Sequence, residues 1–121
     1  MDSARGLPAI TYLSLDPVTS TVGRSQVLNY IERLAQEGVL INLVTFEHQV
    51  DTGLWSRLSD LGVSWFPQEY GRHGAVGGFC RVLRAALAVR GAALVHARSD
   101  MAAAAVILAG INDWVWDVRS L

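Results

Sequence analysis

At 121 residues, 51% of them hydrophobic and 17% charged, the chain has the size of one domain and enough apolar side chains to bury a core without disulfides or metal. Ten basic residues, all arginine, stand against eleven acidic ones, which excludes the overall positive field that draws a protein to nucleic acid. The lack of lysine excludes a P-loop NTPase and the usual receiver-domain pocket, and a single cysteine, Cys80, excludes an intrachain disulfide.

Residues 1–8 lack the apolar core of a signal peptide. From Ile10 to Leu15 the chain is apolar apart from Thr11 and Ser14, and Asp16-Pro17 ends the run, so a buried strand is expected there. From about Arg24, the positions Val27, Leu28, Ile31, Leu34 and Ala35 fall on one helical face, with Gly38 placed as the C-cap. Val39 to Phe46 is apolar and β-branched apart from Asn42 and Thr45, as in a strand covered on both faces. Leu54, Trp55, Leu58 and Leu61 predict a short helix stopped by Gly62, and Val63 to Phe66, closed by Pro67, predicts a brief third strand. A polar loop, Gln68 to Gly74, follows.

Val76, Phe79, Cys80, Leu83, Ala86 and Leu87 then form a helical stripe that predicts the buried face of a third helix, with Arg81, Arg84 and Arg90 turned to solvent and Gly91 at its end. Ala92 to Ala97 predicts a fourth strand, Met101 to Ala109 a helix that Asp100 can cap, and Asp113 to Val118 a fifth strand. Trp55, Trp65, Trp114 and Trp116 fit a core or an interface better than a sugar-stacking platform. Alternation of this kind specifies an α/β fold, a doubly wound, mainly parallel five-stranded Rossmann-like sheet with helices on both faces, for which the common strand order is 3-2-1-4-5. The fourth helix is apolar all round and the chain stops three residues after its last strand, so residues 1–121 are expected to be one domain of a longer protein. The longest uncharged apolar stretch, Met101 to Ile111, is about half a bilayer span, which predicts a soluble, cytoplasmic protein and leaves peripheral contact with the inner membrane face open.

In that strand order, the connections after strands one and four leave in opposite directions and open a crevice at the carboxyl ends of the strands. Gly23-Arg24-Ser25-Gln26 and His96-Ala97-Arg98-Ser99 would line it. Gly23 at a helix start allows backbone N–H groups to approach an anion, Arg24 or Arg98 could supply a bidentate donor to phosphate or carboxylate, and His96 or Ser99 could bond a hydroxyl. Each also has a plainer reading: a steric glycine, a core histidine, a helix-starting serine. Glu47, Asp117 and Arg119 lie at other predicted strand ends, where an ion pair between Asp117 and Arg119 or Arg98 is an equal alternative to a catalytic role. No ligand-like spacing joins His48, His73 and His96, so no metal is expected. Neither GxGxxG nor GxSxG is present, which argues against a nicotinamide-binding domain and an α/β hydrolase.

Four segments in order resemble the N-terminal domain of a bacterial GT-B glycosyltransferase of family 4 (GT4). They are Gly23-Arg24-Ser25-Gln26-Val27-Leu28-Asn29-Tyr30, Thr45-Phe46-Glu47, Val95-His96-Ala97-Arg98-Ser99 and Trp116-Asp117-Val118-Arg119. The resemblance implies the acceptor-side half of a retaining, metal-independent enzyme without a cofactor, acting in polysaccharide or glycoconjugate assembly. Its partners would be a nucleotide-sugar donor, a glycan, lipid or small-molecule acceptor, and a C-terminal donor-binding domain outside these 121 residues; a homodimer is left open. It would place His96 and Arg98 at the reacting sugar, with Gly23, Arg24, Ser25, Gln26, Ser99, Glu47, Asp117 and Arg119 binding substrate, and leave the isolated domain inactive. The alternative is a stand-alone α/β module that binds a small anion or a protein partner.

Overall fold

The computed structural model describes residues 9–15, 17, 27–71, 74–98 and 100–117. Strands and helices alternate along it: β1 (Ile10–Ser14), α1 (Asn29–Gln36), β2 (Ile41–Glu47), α2 (Thr52–Asp60), β3 (Ser64–Glu69), α3 (Gly74–Val89), β4 (Leu94–Arg98), α4 (Asp100–Ala109) and β5 (Trp114–Asp117). The five strands form one parallel sheet, as the alternation predicts, in the common doubly wound order β3-β2-β1-β4-β5. All carboxyl ends therefore lie along one edge. Gly38, Gly62 and Gly91 end the first three helices with φ between +83° and +89°, a conformation that costs a side chain but suits glycine.

Each sheet face has its own core. Tyr12, Leu43 and Trp65 point to one side, where Val27, Leu28, Ile31, Leu54 and Leu58 cover them. Leu13, Val44, Phe46, Val95 and Ala97 point to the other, beneath Val82, Ala85 and Val89 of α3 and Ala102, Ala105 and Val106 of α4. The period-two alternation of side chains along a strand makes this division. Asp51 caps α2, its Oδ1 accepting from the Leu54 N–H at 3.0 Å. Asp51→Ala should therefore cost about 1 kcal/mol, read as a lower urea midpoint with an unchanged slope.

Two expectations are corrected. Pro67 does not close β3: it pairs in register with Thr45, and the strand runs on to Glu69. Only an edge strand tolerates this, because the missing N–H can face away from the ladder. The second correction concerns α3. The stripe expected to be buried faces outward, with Val76, Phe79, Leu83 and Leu87 each 42–67% exposed, while Arg81 is only 7% exposed. The side turned inward carries Gly77, Gly78, Val82, Ala85 and Val89. Small residues let α3 approach closely: a Cβ on Gly78 would come within 3.1 Å of the Met101 side chain on α4. Arg81 is held there by Tyr70, whose carbonyl accepts from its Nη1 at 3.1 Å and whose ring lies 3.8 Å from its Cζ. Arg84 likewise donates to the Glu69 carbonyl. Two arginines thus tie α3 to the end of β3.

No helix among the described residues is long and apolar enough to cross a membrane.

Candidate functional site

The register of β1 and β4 builds the crevice. Tyr12 pairs with His96 and Ser14 with Arg98, all on the α1 side of the sheet, because alternate residues of a strand share a face. The Tyr12 and His96 rings stack with centroids 4.6 Å apart and 26° between planes. Tyr30, from the first turn of α1, closes the group at 5.4 Å from His96 and 5.8 Å from Tyr12. One step further along the strands, Ser14 is buried, Arg98 is half-buried with its Nε inside, and the register sets Asp117 of β5 beside Arg98. Three aromatic rings thus form the floor behind a guanidinium at the sheet's carboxyl edge.

His96, Arg98 and Asp117 are brought to one end of neighbouring strands, as expected from the strand order. Gly23, Arg24, Ser25, Gln26, Ser99 and Arg119 lie outside the described residues. Glu47 is separate from this group. It sits on β2, with β1 between it and β4, and is 2% exposed. Its Oε2 accepts from the Thr45 hydroxyl at 2.6 Å, and Thr45 Oγ1 accepts in turn from the Trp65 indole at 2.9 Å. That chain ties β2 to β3 beneath α2. His48, just beyond β2, packs on Tyr70 at 4.3 Å.

Tyr12, Tyr30 and Ser14 were not among the candidates from sequence. A signal was available for two of them: Tyr12 and Ser14 are two apart at the end of β1, so they share a face and differ from the apolar residues between and after them. Tyr30 gives no such signal, since its reach to β4 depends on where α1 crosses the sheet. Among the described residues no group of three or more His, Cys, Asp or Glu side chains could hold a metal ion.

No family model and no curated protein matches the chain. A solved structure that it does match is described as a protein from the universal stress protein family from Burkholderia pseudomallei, at 16% identity and a TM-score of 0.46, covering 92% of this chain and 96% of that one. The glycosyltransferase assignment is corrected on these findings: the structure found carries another family's name, and nothing matched ties the chain to sugar transfer. The transferase activity, the role in polysaccharide assembly, the nucleotide-sugar and glycan or lipid partners and the separate donor domain all followed from that resemblance and go with it. The five-stranded parallel α/β sheet with Rossmann-like topology rests on the strand order of this chain itself.

Proposed function

We propose that the chain is a binding domain that takes a small anion, phosphate or carboxylate, at the carboxyl ends of β1 and β4. The observation that carries this reading is the double register pair, Tyr12 with His96 and Ser14 with Arg98. It puts a guanidinium, a hydroxyl and a ring stack on one face, at the point where adjacent connections leave a parallel sheet in opposite directions. Arg98 meets the anion with paired N–H donors, and His96 presents its ring edge to whatever the anion is attached to. Gly23, Arg24, Ser25, Gln26, Ser99 and Arg119 belong to this reading through their place in sequence, in the segments that leave β1, β4 and β5. Asp117 belongs to it through the register of β4 and β5, which sets it beside Arg98. A cytoplasmic setting belongs to the same reading, resting on the single cysteine, which is exposed.

Titration with inorganic phosphate and with phenyl phosphate, followed by amide chemical shifts, tests it. Saturable shifts centred on Ser14, His96 and Arg98 are expected, with phenyl phosphate the tighter of the two. Arg98→Ala should weaken both by at least tenfold, while Arg57→Ala, which removes an exposed arginine from α2, should leave them unchanged. Equal weakening by both substitutions would reduce the effect to net charge and sink the proposal.

A further inference from the structure

The other face of the sheet carries an anomaly. Central strands of a parallel sheet are normally apolar on both sides, yet Thr11 of β1 and Asn42 of β2 are register partners on the α3 side, near the amino ends of the strands. Thr11 is only 6% exposed and Asn42 is half-buried. Among the described residues no hydrogen bond engages either side chain, and neither has a fully buried unpaired polar atom, so both polar groups stay open to solvent. Both line a cavity of about 520 Å³ between the sheet and the carboxyl end of α3.

The rest of the lining is chemically varied. Val44 and Phe66, register partners on β2 and β3, form its floor, and the Phe66 ring is half exposed to it. Arg90 stands one residue past α3 at the Thr11 end, and Gln68 lies at the other. At about 3.3 Å per residue, the level of Asn42 and the level of Gln68 are about 13 Å apart along the strands. Side chains reaching in from both ends leave room for one six-membered ring with a polar group at each end. The volume is within the range of small-ligand sites.

We propose that this groove is a second binding site, distinct from the β1/β4 crevice, and that it takes a small aromatic acid. The ring stacks on Phe66 over Val44, the acid group meets the Arg90 guanidinium beside the Thr11 hydroxyl and the Asn42 amide, and a polar substituent at the far end meets the Gln68 amide. Thr11 and Asn42 then have a role that a purely structural strand would not give them. The two polar ends are what select against a plain hydrocarbon.

The probe is 4-hydroxybenzoate, titrated into the 121-residue chain by calorimetry and by amide chemical shifts. Saturable one-to-one binding is expected, with the largest shifts at Thr11, Asn42, Val44 and Phe66. Arg90→Ala, an exposed substitution that leaves the fold alone, should weaken it at least tenfold, and Thr11→Val should weaken it several-fold at constant shape. 4-Hydroxybenzyl alcohol, which keeps the ring and the hydroxyl but lacks the acid, should bind at least tenfold more weakly. Unchanged binding to Arg90→Ala, equal binding of the alcohol, shifts centred on His96 and Arg98, or no saturation would each overturn the proposal.

Discussion

Thr45→Val should destabilise the fold by about 2–4 kcal/mol, since it leaves a buried indole N–H without its acceptor and takes one hydrogen bond from a buried carboxylate. The substitution keeps the shape of the side chain, so the loss isolates the hydroxyl. Thr45 is fully buried and Glu47 is 2% exposed, and the hydroxyl stands between the Trp65 Nε1, which donates to it at 2.9 Å, and Glu47 Oε2, to which it donates at 2.6 Å. A loss of this size is a sizeable share of a domain's ordinary 5–15 kcal/mol. Trp65→Phe, made on top of it, removes the stranded donor, and the double variant should therefore cost less than the two single losses added together. Urea unfolding of the four proteins gives the cycle. Strict additivity, or a loss under about 1 kcal/mol for Thr45→Val, would show that the hydroxyl does not link the two strands.

Arg81→Ala should cost about 2–3 kcal/mol, although the helical pattern of the sequence puts this residue on a solvated face. The guanidinium donates to the Tyr70 carbonyl at 3.1 Å and lies 3.8 Å from the centre of its ring, and its aliphatic stem is packed beneath α3. Removing it loses a charged hydrogen bond, a cation–π contact and buried methylenes together. Lysine should restore less than half, because an ammonium cannot both lie flat on the ring and keep the fork of donors. Leu87→Gln on the outward side of the same helix should change stability by no more than about 0.5 kcal/mol, against the 2–5 kcal/mol typical when a core leucine is truncated. Leu87 is 64% exposed. If the two variants changed places, with Leu87→Gln the costly one, the orientation of α3 would be wrong.

The sequence by itself determined the architecture. Apolar runs of strand length alternate with segments of helical period, glycines stand at the helix ends, and these local patterns require a parallel sheet with crossovers; the strand order 3-2-1-4-5, the common one for such sheets, is the order found. Strand polarity also places His96, Arg98 and Asp117 at one end of the sheet.

Only the tertiary structure decided which way α3 turns. A 3.6-residue period tells which side chains share a face, and for most helices the larger apolar face goes inward. Here the inward face is the one with Gly77, Gly78 and Ala85, because close approach to the sheet and to α4 needs small side chains, and the arginines on that side find fixed acceptors at Tyr70 and Glu69. Those acceptors lie 11 and 15 residues away in the chain, so no window of helical pattern contains them. The same holds for Glu47. Its place at the end of an apolar run marks a strand end and says nothing of its partners, whereas it is held inside by Thr45 and, through Thr45, by a tryptophan 20 residues on. Tyr30 reaches His96 across the sheet by the path of α1, and Thr11 meets Asn42 by strand register. Periodicity along one segment specifies faces, and the choice of partner for each face is made by contacts between segments.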